Sequence, residues 1–171
     1  VDLVLESFTL NKLLFKQLTI ALNAHNGVVK INQFSGFIYD SPMQLLSVID
    51  ATGKTAMIDF DASSKALPVG KLLRDLELEE RFSGTSDVEA KGKAAGVTQN
   101  ELMQSMDAVI DLSGKQMQVA SINIEQTVCE FIAKAERKEP TIKTWDDFTK
   151  LRDITTRVIV KNGVATVQNL D

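Results

Sequence analysis

The chain of 171 residues carries 19 Lys and Arg against 23 Asp and Glu, a formal net charge of −4, and 44% of its residues are apolar. This composition suits about one globular domain, and the mild acidity disfavours nucleic acid as a partner, because phosphate binding needs a concentrated basic face. A single histidine and a single cysteine exclude an internal disulfide and a zinc site built from several such ligands.

The N-terminal third alternates between apolar and polar residues, which predicts antiparallel strands. In the first clear strand, every second residue is apolar, namely Leu18, Ile20 and Leu22. Asn26-Gly27 follows and predicts a hairpin, since both central residues of that tight turn need positive φ. Residues 34–39 are predicted as another strand, with Gly36 as a bulge.

Residues 43–51 and 55–62 form the next predicted hairpin. In its second strand Ile58 and Phe60 point one way, and Asp59 and Asp61 point the other. We predict that Leu18, Ile20, Leu22, Ile58 and Phe60 belong to one apolar strand face.

In the middle of the chain, the spacing of apolar residues changes from the two-residue period of strands to the period of a helix. Residues 68–76 predict a short amphipathic helix that starts at a proline, and residues 83–93 predict a strand. Thr98 and Glu101 match a capping box for a second short helix. A hairpin is predicted from 106–112 and 116–122, with its turn at Ser113-Gly114-Lys115.

The longest predicted helix runs from residue 123 or 124 to Pro140. Thr144 to Asp147 predict a further helix start, with Phe148 and Leu151 following, and Asn162-Gly163 predicts the last hairpin. Hairpins with short helices between them indicate the α+β class: mainly an antiparallel, curved β-sheet with a few short amphipathic helices packed on one side. Both ends read as strand, so we expect residues 1–171 to be one fragment of a larger protein.

Several motifs occur together in one order in the second half: residues 67–76, 82–87, 96–106, 107–114, 122–124, 144–148 and 162–164. In this order the chain resembles the C-terminal region of the AsmA family. The resemblance divides the chain into a strand meander, 1–66, and an AsmA-like helix–strand block, 67–171. The chain departs from the family at Ala120-Ser121-Ile122, where members often carry a glycine.

The resemblance implies a non-catalytic periplasmic segment of a protein anchored in the inner membrane of a Gram-negative bacterium. It implies a part in outer-membrane assembly and in phospholipid transport between the envelope membranes. The implied partners are phospholipid acyl chains, neighbouring segments of the same parent chain and envelope assembly proteins. The strand face of Leu18, Ile20, Leu22, Ile58 and Phe60 is then either lipid-facing or ordinary core. We expect the anchor to lie outside this fragment, and we expect no cofactor.

The residues that bear reactive groups favour structural roles. His25 lies beside a hairpin turn, and Cys129 lies in the predicted long helix, where buried or part-buried packing is favoured over nucleophilic chemistry. Asp59 and Asp61 share a strand face without further ligands at a fixed spacing, so a solvated face is favoured over a metal site. No catalytic or metal-binding residues are therefore predicted.

Two other functional classes remain open. A protein-interaction module would act by adding its strand edges to the sheet of a neighbour. An enzyme would need a pocket that gathers His25, Cys129 or an acidic pair with strongly shifted pKa values.

Overall fold

The computed structural model describes residues 1–10, 12–75, 77, 80–120, 126, 128, 129, 132 and 147–170. Within them it contains ten strands and two short helices. The strands are β1 (Asp2–Leu10), β2 (Leu13–His25), β3 (Val28–Ile38), β4 (Ser41–Asp50), β5 (Ala56–Pro68), β6 (Phe82–Gly96), β7 (Asp107–Ala120), β8 (Phe148–Lys150), β9 (Ile154–Lys161) and β10 (Val164–Leu170). The helices are α1 (Val69–Asp75) and α2 (Gln99–Gln104).

All ten strands belong to one antiparallel sheet, and from β1 to β7 each strand pairs with the next one along the chain. The order is β1-β2-β3-β4-β5-β6-β7-β9-β10, and β8 pairs with β7 beyond the stretch that pairs with β9. The sheet is open, with β1 and β10 as its edges. The sheet includes strands from both the meander (1–66) and the helix–strand block (67–171) that the sequence analysis distinguished.

The connections between strands alternate between two ends of the sheet. The α1 end holds α1 and the turns β1–β2 and β3–β4, and the α2 end holds α2 and the turns β2–β3, β4–β5 and β9–β10. Contacts between turns confirm this grouping. Lys12 bonds Glu77 at the α1 end, and at the α2 end the Gly163 amide donates to the Met106 carbonyl.

Asn-Gly turns close two hairpins, as the sequence predicted. Asn26 and Gly27 have φ of 48° and 78°, and Asn162 and Gly163 have φ of 49° and 73°. A third tight turn, between β3 and β4, contains neither glycine nor asparagine. Its residues Tyr39 and Asp40 take positive φ instead. Tyr39 therefore lies in a turn, and residues 34–38 continue β3 instead of forming a separate strand.

The predicted hairpin at Ser113-Gly114-Lys115 is wrong, because these residues lie inside one continuous strand, β7. Its neighbour β6 has 15 residues and pairs with β7 on both sides of Gly114. Backbone hydrogen bonds along that length outweigh the local turn signal.

Two of the predicted helices, α1 and α2, are present. The α+β class is therefore broadly correct, although the described residues are mostly β-sheet and their helices are few. Thr98 caps α2 by accepting from the Glu101 amide. Phe148 to Lys150 form strand β8 and not the first turn of a helix, because they add to the edge of β7. The predicted long helix lies outside the described residues, apart from four helical positions between 126 and 132. Among the described helices, none is long and apolar enough to cross a membrane.

Candidate functional site: the apolar face of the sheet

The pairing register assigns each side chain to one of two faces, since residues directly opposite each other share a face and successive residues alternate. Ile58 in β5 lies opposite Ile49 in β4 and Ala94 in β6. Its neighbour Asp59 lies opposite Val48 and Lys93. The same strands therefore build one apolar face and one charged face.

Following the register from β2 to β9 gives the members of each face. The apolar face includes Ile20, Leu22, Ile31, Ile49, Ile58, Phe60, Ala90, Ile110 and Val158. The charged face includes Lys30, Asp59, Asp61, Lys91, Lys93, Asp107, Asp111, Arg157 and Lys161.

The five residues singled out from the sequence all lie on the apolar face, but they are not equally buried. Leu18 is 1% exposed and covers Gly36, where an added Cβ would lie 2.8 Å from its Cδ2 atom. Ile20, Leu22, Ile58 and Phe60 remain partly exposed. Leu18 therefore belongs to the core, whereas the other four form an apolar surface that still has accessible area.

A buried row crosses the sheet toward its α1 end, and we call it the crease. Its members are Leu18, Ile38, Ser41, Leu67, Ser86 and Met117. Three non-glycine residues with left-handed backbone accompany it: Gln17, Ala66 and Gln116 have φ of 50°, 50° and 51°. The register shifts at each of these positions, so each is a β-bulge, which bends a strand and increases its twist.

Each bulge places an apolar side chain on the apolar face. In an unbroken strand, residues three apart point to opposite faces. Ser64 and Leu67 are three apart, yet they lie opposite Val88 and Ser86 of β6, which both point to the apolar face. The extra residue in β5 turns Leu67 inward. The bulges next to Leu18 and Met117 do the same, and Met117 then covers Gly114.

At the other end, α2 covers part of the apolar face. A Cβ added at Gly96 would meet Glu101 and Leu102 at 2.6 and 2.8 Å, so the helix lies directly against β6. The Ser105 hydroxyl accepts from the Ala95 amide and donates to the Ala95 carbonyl. Between α2 and the crease, small residues such as Ser47 and Ala108 are buried, and the larger side chains, including Ile58 and Phe60, stay partly exposed.

At the α1 end, polar contacts join α1 to the β3–β4 turn. Tyr39 donates from its hydroxyl to Asp75 at 2.6 Å, and the Lys71 ammonium lies 4.6 Å from the centre of the Tyr39 ring. Burial, followed by the hydrogen bond to Asp75, raises the pKa of Tyr39 to about 12.

The charged face is held by ion pairs across strands. Arg157 donates twice to Asp111, at 2.6 and 3.0 Å, and this bonding holds the pKa of Asp111 below its ordinary value. Lys91 pairs with Asp61 at 2.9 Å. Two shallow open depressions of about 550 and 440 Å³ lie on this face and share Asp59 and Lys91. Charged side chains line both depressions together with apolar ones, among them Leu46, Val48 and Val109.

The reactive residues named from the sequence are not brought together. His25 ends β2 and is exposed, as expected at a turn. Cys129 is exposed, so its predicted burial is wrong. Asp59 and Asp61 share the charged face as predicted, and Asp61 pairs with Lys91. No group of three or more potential metal ligands occurs within the residues that the structure describes.

Comparison with known proteins supplies the remaining evidence. The AsmA family profile matches residues 1–170. The chain is 17% identical to Protein AsmA of Escherichia coli (strain K12) over 156 residues, which is 91% of this chain and 25% of that protein. The chain therefore spans about a quarter of the length of this relative. No solved structure gives a significant match.

Proposed function

We propose, since this chain belongs to the AsmA family, that it is a non-catalytic periplasmic segment which shelters phospholipid acyl chains on its apolar face. In this proposal it serves phospholipid transport and outer-membrane assembly as part of a protein anchored in the inner membrane. Neighbouring segments of the parent protein would continue the surface, and envelope assembly proteins would be its partners.

The partial exposure of the middle of the apolar face is the observation that carries this proposal. Apolar side chains follow one another across β2 to β9, from Leu22 and Ile31 through Ile49 and Ile58 to Ile110 and Val158, and none of these six is fully buried. In an ordinary antiparallel sheet with one solvated side, the opposite side is packed as core. Here the crease and several small side chains, such as Ala94 and Ala108, are buried, whereas the larger apolar side chains between the crease and α2 are only partly covered.

Transfer of acyl chains from water to such a surface supplies enough free energy for capture. Each methylene removed from water contributes about 0.8 kcal/mol, so a few contacts suffice for weak and reversible binding. The phosphate headgroup stays in solvent and needs no buried counter-charge. This chemistry uses no nucleophile, acid or metal.

Replacing Phe60 by Asp in the intact protein tests the proposal, with Val109→Asp as the matched control. Val109 lies on the charged face opposite Lys91, so its replacement should leave both fold and lipid content unchanged. We expect Phe60→Asp to keep its circular dichroism spectrum and to lose most of the phospholipid that co-purifies with the unmodified protein, as measured by mass spectrometry. Unfolding of Phe60→Asp would instead identify the face as ordinary core, and a folded variant with unchanged lipid content would also reject the proposal.

Strand-edge pairing is the second candidate function, and β1 favours it. This edge strand exposes Leu3, Val4 and Leu10, and it contains no lysine or proline of the kind that protects sheet edges. A strand from a neighbour would extend the sheet there. Native mass spectrometry distinguishes the two functions, because a bound partner chain without phospholipid supports edge pairing alone.

A further inference from the structure

Ala66, the bulge residue of β5, is held by side chains from both neighbouring strands. Its φ of 50° lies in the left-handed region, which residues with a Cβ rarely adopt. Its amide donates to the Asp87 carboxylate of β6 at 2.8 Å. Its carbonyl accepts from the Ser41 hydroxyl of β4 at 2.9 Å. Both backbone polar groups that the bulge removes from the ladder therefore have side-chain partners.

The two side chains are placed for this role. Ser41 is buried in the crease, where an unbonded hydroxyl would be costly. The hydrogen bond from the Ala66 amide is the main reason why the pKa of Asp87 lies below its ordinary value, so the carboxylate is the form that binds. Lys65 lies 3.5 Å from Asp87 and adds a weaker, more exposed attraction.

The bulge decides which face Leu67 occupies. A β5 strand without the extra residue would turn Leu67 to the charged face and bring Ala66 or Pro68 to the apolar one, because a shift of one residue exchanges the faces. The crease would then lose its central buried side chain. The contacts of Ser41 and Asp87 with one backbone residue thus determine where the apolar face ends.

We propose that Ser41 and Asp87 are positioning residues that hold the Ala66 bulge and so maintain the crease as a wall along one side of the lipid-binding surface. This inference rests on the proposed function. In this proposal acyl chains would be held between the crease and α2, where Ile58 and Phe60 are partly exposed.

The test compares Asp87→Ala with Glu89→Ala in the intact protein. Glu89 lies two residues further along β6, is exposed, and contacts only the Lys65 ammonium, at 3.5 Å, among its described polar contacts. Phospholipid uptake is measured from vesicles of phosphatidylethanolamine with a minor share of phosphatidylglycerol, and folding is followed by circular dichroism. We expect uptake to fall about threefold in Asp87→Ala, the size expected from losing one net hydrogen bond, and to stay unchanged in Glu89→Ala.

Rescue by glycine separates positioning from a general structural effect. Glycine accepts left-handed φ without strain, so Asp87→Ala combined with Ala66→Gly should recover uptake. Normal uptake in folded Asp87→Ala, or a loss that Ala66→Gly does not restore, would overturn the inference and leave the proposed function intact. Absence of uptake by the unmodified protein would instead reject the proposed function. If Asp87→Ala does not fold, Ser41→Ala is tested by the same criteria.

Discussion

The two faces of this sheet are built by the same strands, yet different forces hold them. On the charged face, exposed cross-strand pairs such as Lys91–Asp61 set neighbouring strands in register, although each contributes little to stability. On the apolar face, the crease is buried, as are Ser47, Ala94, Ala108 and Val160, whereas larger side chains such as Ile58 and Phe60 remain partly exposed. A sheet can thus bury one row and its small residues on a face while its larger apolar side chains keep accessible area.

Truncation of the crease should give the largest difference between the faces. Leu18 is 1% exposed, whereas Leu46 on the charged face is 51% exposed. Leu18→Ala should lower the free energy of unfolding by about 2–5 kcal/mol through lost burial and a cavity. Leu46→Ala should change it by no more than about 0.5 kcal/mol. Urea unfolding followed by circular dichroism measures both, and equal losses would mean that the two faces are packed alike.

Filling a glycine position on the apolar face should have the next largest effect. A Cβ at Gly92 would lie 2.6 Å from the Ala108 Cβ and the Asp107 carbonyl oxygen. Gly92→Ala should therefore cost about 1–3 kcal/mol of stability through overpacking.

Gly53, in the β4–β5 turn, is the matched control for this substitution. A Cβ there would meet nothing nearer than 3.6 Å, so Gly53→Ala should be neutral or stabilise by up to about 1 kcal/mol. Thermal unfolding of the two variants compares them, and a stable Gly92→Ala protein would show that the β6–β7 contact is looser than described.

The smallest effect concerns the only tyrosine of the chain. Because the pKa of Tyr39 is raised from 10.0 to about 12, the folded state favours the neutral phenol. This contribution to stability is present below pH 10 and is lost as the pH rises from about 10 toward 12. Ultraviolet titration should show late ionisation of Tyr39.

Two variants test why the pKa of Tyr39 is raised. Asp75→Asn weakens both the hydrogen bond and the negative charge that raise the pKa of Tyr39, so the transition should move toward lower pH. Asp111→Asn, on the charged face, should leave the transition where it is. A transition of the unmodified protein at its ordinary value would mean that burial of Tyr39 at the α1 end is absent in solution.

Most of the architecture could be read from local patterns. Alternation around Ile20 and around Ile58 placed those residues on strands, and the structure puts them on one apolar face. The Asn-Gly pairs marked two hairpins, and Thr98 with Glu101 marked the start of α2. These signals succeed because the backbone and its nearest side chains decide them.

The crease could not be predicted in the same way. Gln17, Ala66 and Gln116 have no intrinsic preference for left-handed φ, and nothing in their neighbourhood along the chain marks a bulge. Ala66 takes that conformation because Ser41 and Asp87, 25 and 21 residues away, bond its backbone. Ser113-Gly114-Lys115 shows the reverse case, in which a local turn signal yields to pairing with a long neighbour.

The sequence by itself determined the strand periods, two of the tight turns and the short helices, because these depend on residues close together in the chain. Only the tertiary structure decided where the apolar face is packed and where it is open, that Phe148 to Lys150 extend an edge, and that Cys129 is exposed. Burial depends on what lies opposite a side chain in space, and distant parts of the chain supply those neighbours.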